Sequence, residues 1–171
     1  MGSVRGVRPD IRRLTAAATL VSLIAVMGCT AGLNRPTLEE ATKQLIADGD
    51  KLIASREVAA SGKLAVTERA EKDTESGCIP GQVQRFFRAQ GDLSGAPDVH
   101  MPYNSAGLMQ SVLEFVGYDS VVNDRDLRDE NLGLSVVRNS KTGLTFTLTV
   151  RNGQTPNIMI VGKTDCYARG G

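Results

Sequence analysis

His100 is the chain's single histidine, and Cys29, Cys78 and Cys166 are its only thiols. A histidine becomes a general base when a serine or cysteine and an orienting acid accompany it, and no local motif around His100 supplies them. Its surroundings, Gly91 to Tyr103 with Pro97 and Pro102, read as an exposed loop. Neither Cys78 nor Cys166 lies in a C-x-x-C motif, and with His100 they reach only three zinc ligands, one short of a structural site. Asp124, Asp126, Asp129 and Glu130 offer the oxygen ligands that calcium prefers. An EF-hand loop counted from Asp124 would need Gly and Glu where the chain has Asp129 and Ser135. Arg125 and Arg128 interleave with these acids, so a solvated loop is expected and a metal is not. Lys141-Thr142-Gly143 is a triplet that accompanies a Ser-x-x-Lys nucleophile in some acylating enzymes. The chain beyond residue 28 has no Ser-x-x-Lys, and the triplet stands where a hairpin turn is wanted. In Arg85-Phe86-Phe87-Arg88 an extended backbone points the two rings to opposite faces. One ring is thus free for a partner-binding patch, while packing against the first helix is the expected use of the pair.

Cys29 stands apart from the other two cysteines. Arg5, Arg8, Arg12 and Arg13 against Asp10 make the start basic, and Leu14 to Met27 is uncharged. As a helix, that stretch reaches roughly 21 Å, short of the ~30 Å hydrocarbon core. A basic start, a short apolar run and small residues at its end describe a secretory signal peptide. Val26-Met27-Gly28-Cys29 resembles the lipobox of bacterial lipoproteins, with Val and Met in place of a commoner Leu and a smaller residue. The resemblance implies a diacylglyceryl group on the Cys29 sulfur and cleavage just before it. Two acyl chains anchor stably where one binds only reversibly.

Residues 1–28 are therefore expected to be removed, 29–36 to form a polar tether, and 37–171 to fold as one domain. The signal segment takes four of the chain's 20 basic residues and one of its 19 acids, leaving 16 against 18. A surface near −2 gives no electrostatic argument for nucleic acid. Trp is absent and aromatics make up 4% of the chain, which argues against a ligand pocket walled by rings. With Cys29 assigned to lipid, Cys78 and Cys166 remain as an even pair in an exported chain, and a disulfide is their expected fate.

The elements that must position these residues follow from local patterns. Thr37-Leu38-Glu39-Glu40 reads as a capping box opening a helix over about 38–55, with Leu38, Ala41, Leu45, Leu52 and Ile53 on one face and Gly49 as a bend or division. Lys63–Glu71, with Leu64, Val66 and Ala70 on one side, and Gln82–Gln90 read as strands of an antiparallel hairpin with Cys78 near its tip. A second helix is capped by Asn104 or Ser105, carries a stripe of Leu108, Met109, Val112, Leu113 and Val116, and ends at Gly117 in a Schellman-type turn. Ser120–Asn123 and Leu134–Arg138 are short strands. Leu144 to Val150 alternates strictly, which predicts one buried and one wet face. Asn152-Gly153 is a turn leading into Asn157–Gly162. The predicted fold is α+β, two helices on one face of an antiparallel sheet, with Cys166 pinning the last strand to the first hairpin.

The lipobox, the stretch from Cys78-Ile79-Pro80-Gly81-Gln82 through Arg85-Phe86-Phe87-Arg88, and the ending Ile160 to Cys166 are similar to small, uncharacterised lipoproteins of actinomycetes. That resemblance implies a place in the cell envelope and carries no catalytic residues. The expectation is a lipid-anchored protein on the extracytoplasmic face of the cell membrane, attached through Cys29. It is expected to need no cofactor and to bind an envelope protein, a lipid or a wall component. An envelope hydrolase and a carrier of an apolar ligand are the alternatives.

Overall fold

In the computed structural model, which describes residues 35–94, 102–123 and 129–170, the capping box at Thr37 is formed. Glu40 N donates to Thr37 Oγ1 at 3.2 Å, and Thr37 N donates to a Glu40 carboxylate oxygen at 2.8 Å. Two N–H groups orphaned at the helix start are thereby satisfied. Helix α1 (Leu38–Ala54) follows and buries Ala41, Leu45 and Leu52. Ser55 ends it and caps a short helix α2 (Arg56–Ser61), its hydroxyl accepting from Val58 N at 3.3 Å. That extra turn was not expected from the sequence.

Strands β1 (Gly62–Arg69), β2 (Gln82–Val83) and β3 (Phe86–Leu93) come next, then helix α3 (Pro102–Glu114). β4 (Asp119–Asn123), β5 (Leu132–Asn139), β6 (Leu144–Arg151), β7 (Ile158–Thr164) and β8 (Tyr167–Ala168) complete the order. Six strands form one antiparallel sheet in the order β1-β3-β7-β6-β5-β4. The predicted hairpin is the β1–β3 pair. The expected strand Gln82–Gln90 divides, because β2 leaves the sheet to pair with β8. At its other end β3 continues through Gly91 to Leu93, residues assigned to a loop by the sequence reading.

Helices α1 and α3 lie on one face of this sheet, as predicted. β6 turns Leu144, Phe146, Leu148 and Val150 into the core, where Phe87, Ala89, Ile158 and Ile160 meet them. Phe87 packs under α1, and a Cβ on Gly49 would come within 2.6, 2.7 and 2.8 Å of three of its ring atoms. Gly49 therefore neither bends nor divides the helix, which runs unbroken through it; its missing side chain is the space Phe87 fills. Gly162 plays the same part from β7, where a Cβ would meet Phe146 at 2.5 Å and Leu45 at 2.8 Å.

Helix α3 begins at Pro102, ahead of both expected caps, Asn104 and Ser105, and a first helical residue needs no N–H of its own. Its end is the Schellman arrangement read from the sequence. Tyr118 N donates to Leu113 O at 3.2 Å, Gly117 N donates to Glu114 O at 3.0 Å, and Gly117 has φ +93°. The apolar stripe is narrower than expected. Met109 and Leu113 are buried and Val112 and Val116 pack against the core, but Leu108 is 46% exposed. Tyr118 closes the core edge-on to Phe146, with ring centroids 5.6 Å apart, and its hydroxyl donates to Asp48 Oδ2 at 2.8 Å. Gln44 Nε2 donates to the other carboxylate oxygen at 2.9 Å, so this buried acid on α1 is paired at both oxygens.

Strand β5 reverses the usual pattern. Gly133, Ser135 and Val137 face the helices, while Leu132, Leu134 and Val136 lie on the opposite face. The reason is α3: the Pro102 carbonyl lies directly over Gly133, and Ser135 Oγ donates to Gln110 Oε1 at 2.6 Å. No described helix covers the opposite face. It carries Gln90, Met159, Thr149 and Leu134 in one cross-strand row and Arg88, Val161, Thr147 and Val136 in the next.

Candidate functional site

The sequence-predicted site residues fall in different places. Val26, Met27, Gly28, Cys29, His100, Asp124 and Asp126 lie outside the described residues. Asp129 and Glu130 are exposed, and Asp129 Oδ1 accepts from Asn131 N at 2.9 Å, which makes a local turn of its own. Among the described residues no group of acids, histidines and cysteines could hold a metal ion. Lys141-Thr142-Gly143 is the β5–β6 turn. Asn139 Oδ1 accepts from Lys141 N at 3.1 Å and Thr142 N at 3.3 Å, and Gly143 takes φ +67°. Phe87 is fully buried and Phe86 half-buried, so the two rings do part across the sheet; Arg88 stacks over Phe86 at 4.5 Å.

Cys78 and Cys166 are joined, as expected, by a disulfide between Cα atoms 5.8 Å apart. It ties the β1–β3 connection to the segment after β7. Thr74 and Gln84 exchange backbone hydrogen bonds at 2.9 Å, β2 pairs with β8, and Gln84 Nε2 donates to Ser76 O. The connection is therefore held at its base, at its side and by a covalent bond. That fixes it beside the open face of the sheet.

Between this connection and the sheet lies a cleft of about 250 Å³, lined chiefly by Gln84, Val136, Arg138, Thr145, Lys163 and Asp165. Lys163, Thr145 and Arg138 stand in one cross-strand row on β7, β6 and β5. Asp165 is anchored by its backbone, which donates to Gly143 O at 2.7 Å. Its carboxylate accepts from Arg35 Nη2 at 2.6 Å and from Arg138 Nη2, 3.0 Å from each oxygen. Arg35 also lies 5.2 Å over the Tyr167 ring. Lys163 has no ion-pair partner among the described residues. Among the described residues the cleft thus offers guanidinium, ammonium and hydroxyl donors, and its one carboxylate, Asp165, is occupied by two arginines. This chemistry suits holding a polar ligand.

This cleft is not legible in the sequence. The alternation of β6 places Thr145 on the wet face, but the proximity of Arg138, Lys163 and Asp165 depends on strand register and on the disulfide-bound connection. No protein-family model, curated protein or solved structure matches the chain.

Proposed function

We propose that the chain is an envelope lipoprotein held by lipid on Cys29 at the extracytoplasmic face of the membrane, and that its domain binds a protein, lipid or wall component without catalysing a reaction. The observation that carries this reading is the Cys78–Cys166 disulfide in a chain that also holds the Val26-Met27-Gly28-Cys29 match. Disulfides persist in oxidising compartments, so the bond supports export independently of the lipobox. The binding role draws on the open sheet face and its donor-rich cleft. A carrier of an apolar ligand would need a cavity between helices and sheet, a space that Phe87, Phe146 and Tyr118 fill.

The test is Cys29→Ala in the native envelope. The substituted protein is expected in the soluble fraction or as an uncleaved precursor. A correctly cleaved product that stays on the membrane would overturn the anchor.

A further inference from the structure

We propose that the cleft beside the disulfide is a binding site for a phosphate group, held between Arg138 and Lys163 over the Thr145 hydroxyl. The inference rests on the reading of the domain as a binding module; it does not need the lipid anchor.

Register supplies the geometry. Thr145 pairs with Lys163 on one side and Arg138 on the other, so the two cations stand two strand spacings apart, about 9.6 Å at the backbone. A group seated above the central strand is within reach of both long side chains. A carboxylate has two oxygens to share among three donor groups, whereas a phosphate can give one to each.

Charge points the same way. Arg138 uses only Nη2 on Asp165, which leaves the rest of its donor fork unengaged among the described residues. Arg35 takes the other share of the Asp165 charge at 2.6 Å. Asp119 lies beyond Arg138 in the same row and forms no ion pair among the described residues. Among the described residues three cations, Arg35, Arg138 and Lys163, thus face two acids, Asp165 and Asp119, and the excess sits on Lys163.

The walls make this a site and not merely a charged surface. The connection through Gly77 and Gln84 stands over one side, closed by the Cys78–Cys166 bond, and Val121 lines the cleft with Val136. A partly enclosed donor set is screened less than the same charges in open solvent.

The test uses the full-length lipidated protein in neutral detergent micelles at constant ionic strength, followed by backbone amide NMR. One arm titrates inorganic phosphate to about 10 mM; the other adds phosphatidylglycerol, with phosphatidylcholine as its control. Saturable shifts at Thr145 and Lys163 are expected. Saturation with inorganic phosphate identifies a soluble phosphate compound as the source, and saturation with phosphatidylglycerol alone identifies a lipid headgroup. Lys163→Gln should weaken binding about tenfold and Thr145→Val severalfold. Both side chains lie on the solvent side of the sheet, so unfolding midpoints should hold. No saturation in either arm, or wild-type affinity in Lys163→Gln, overturns the proposal. Either failure leaves the Cys29 experiment, and a binding role elsewhere on the open face, standing.

Discussion

Replacing Tyr118 with Phe removes one oxygen from the centre of the domain and leaves everything else in place. The ring keeps its edge contact with Phe146, so no cavity opens. What is lost is the 2.8 Å hydrogen bond to Asp48 Oδ2, on a side chain only 6% exposed. Hydrogen bonds to charged groups contribute about 1.5–3 kcal/mol, and an oxygen left unpaired in the interior falls at the upper end of that range. Gln44 still serves the other oxygen, which holds the loss to about 2–3 kcal/mol, or an unfolding midpoint lower by about 6–10 °C. The chain has no Trp, so urea unfolding followed by circular dichroism is the suitable assay. Adding Asp48→Asn to Tyr118→Phe should recover part of the loss, since an amide costs less to leave half-paired than a carboxylate. A pH series gives a second reading. Burial first, and then the Asp48 carboxylate, push the Tyr118 phenol far above its ordinary value near 10. The folded state keeps this proton while the unfolded chain releases it, so the contribution is intact below pH ~10 and is lost as pH rises beyond that. Tyr118→Phe should flatten that part of the decline. A stability loss under about 0.5 kcal/mol, together with an unchanged alkaline slope, would refute the reasoning.

Two further predictions concern packing and covalent constraint. Gly49→Ala should destabilise despite the ~1 kcal/mol gain in helix propensity, because overpacking Phe87 costs about 1–3 kcal/mol; a rise in unfolding midpoint would show that Phe87 moves aside freely. Cys78→Ser with Cys166→Ser opens a loop of sequence separation 88 and should cost about 4–5 kcal/mol by denaturant titration, on chain-entropy grounds. Mass spectrometry of the non-reduced wild type should show those two cysteines joined, and two free thiols would remove the basis of that estimate.

What the sequence revealed was local in origin. The Thr37 capping box, the Gly117 ending and the alternation of β6 are each decided within a few residues, and each is found as read. Features that depend on a distant partner were not legible. Gly49 looks like a helix breaker until Phe87 is seen against it. Ser135 faces inward because Gln110 waits above it, and β2 leaves the predicted strand because β8 pairs with it. Leu108 fits the helical period but sits at the edge of a core too narrow to take it. The candidate site belongs to this second kind, since Arg138 and Lys163 become neighbours only through the register of β5, β6 and β7.

The strand order has a consequence for how the domain is assembled. The β1–β3 hairpin and the β4–β7 meander are each built from chain neighbours, but the sheet is complete only when β3 docks on β7, across a long sequence interval. Pairings of that kind form late and slowly, since loop closure comes before any contact rewards it. The disulfide crosses the same seam. Once closed, it keeps hairpin and meander tethered even when the β3–β7 pairing opens, so reassembly needs no second long search.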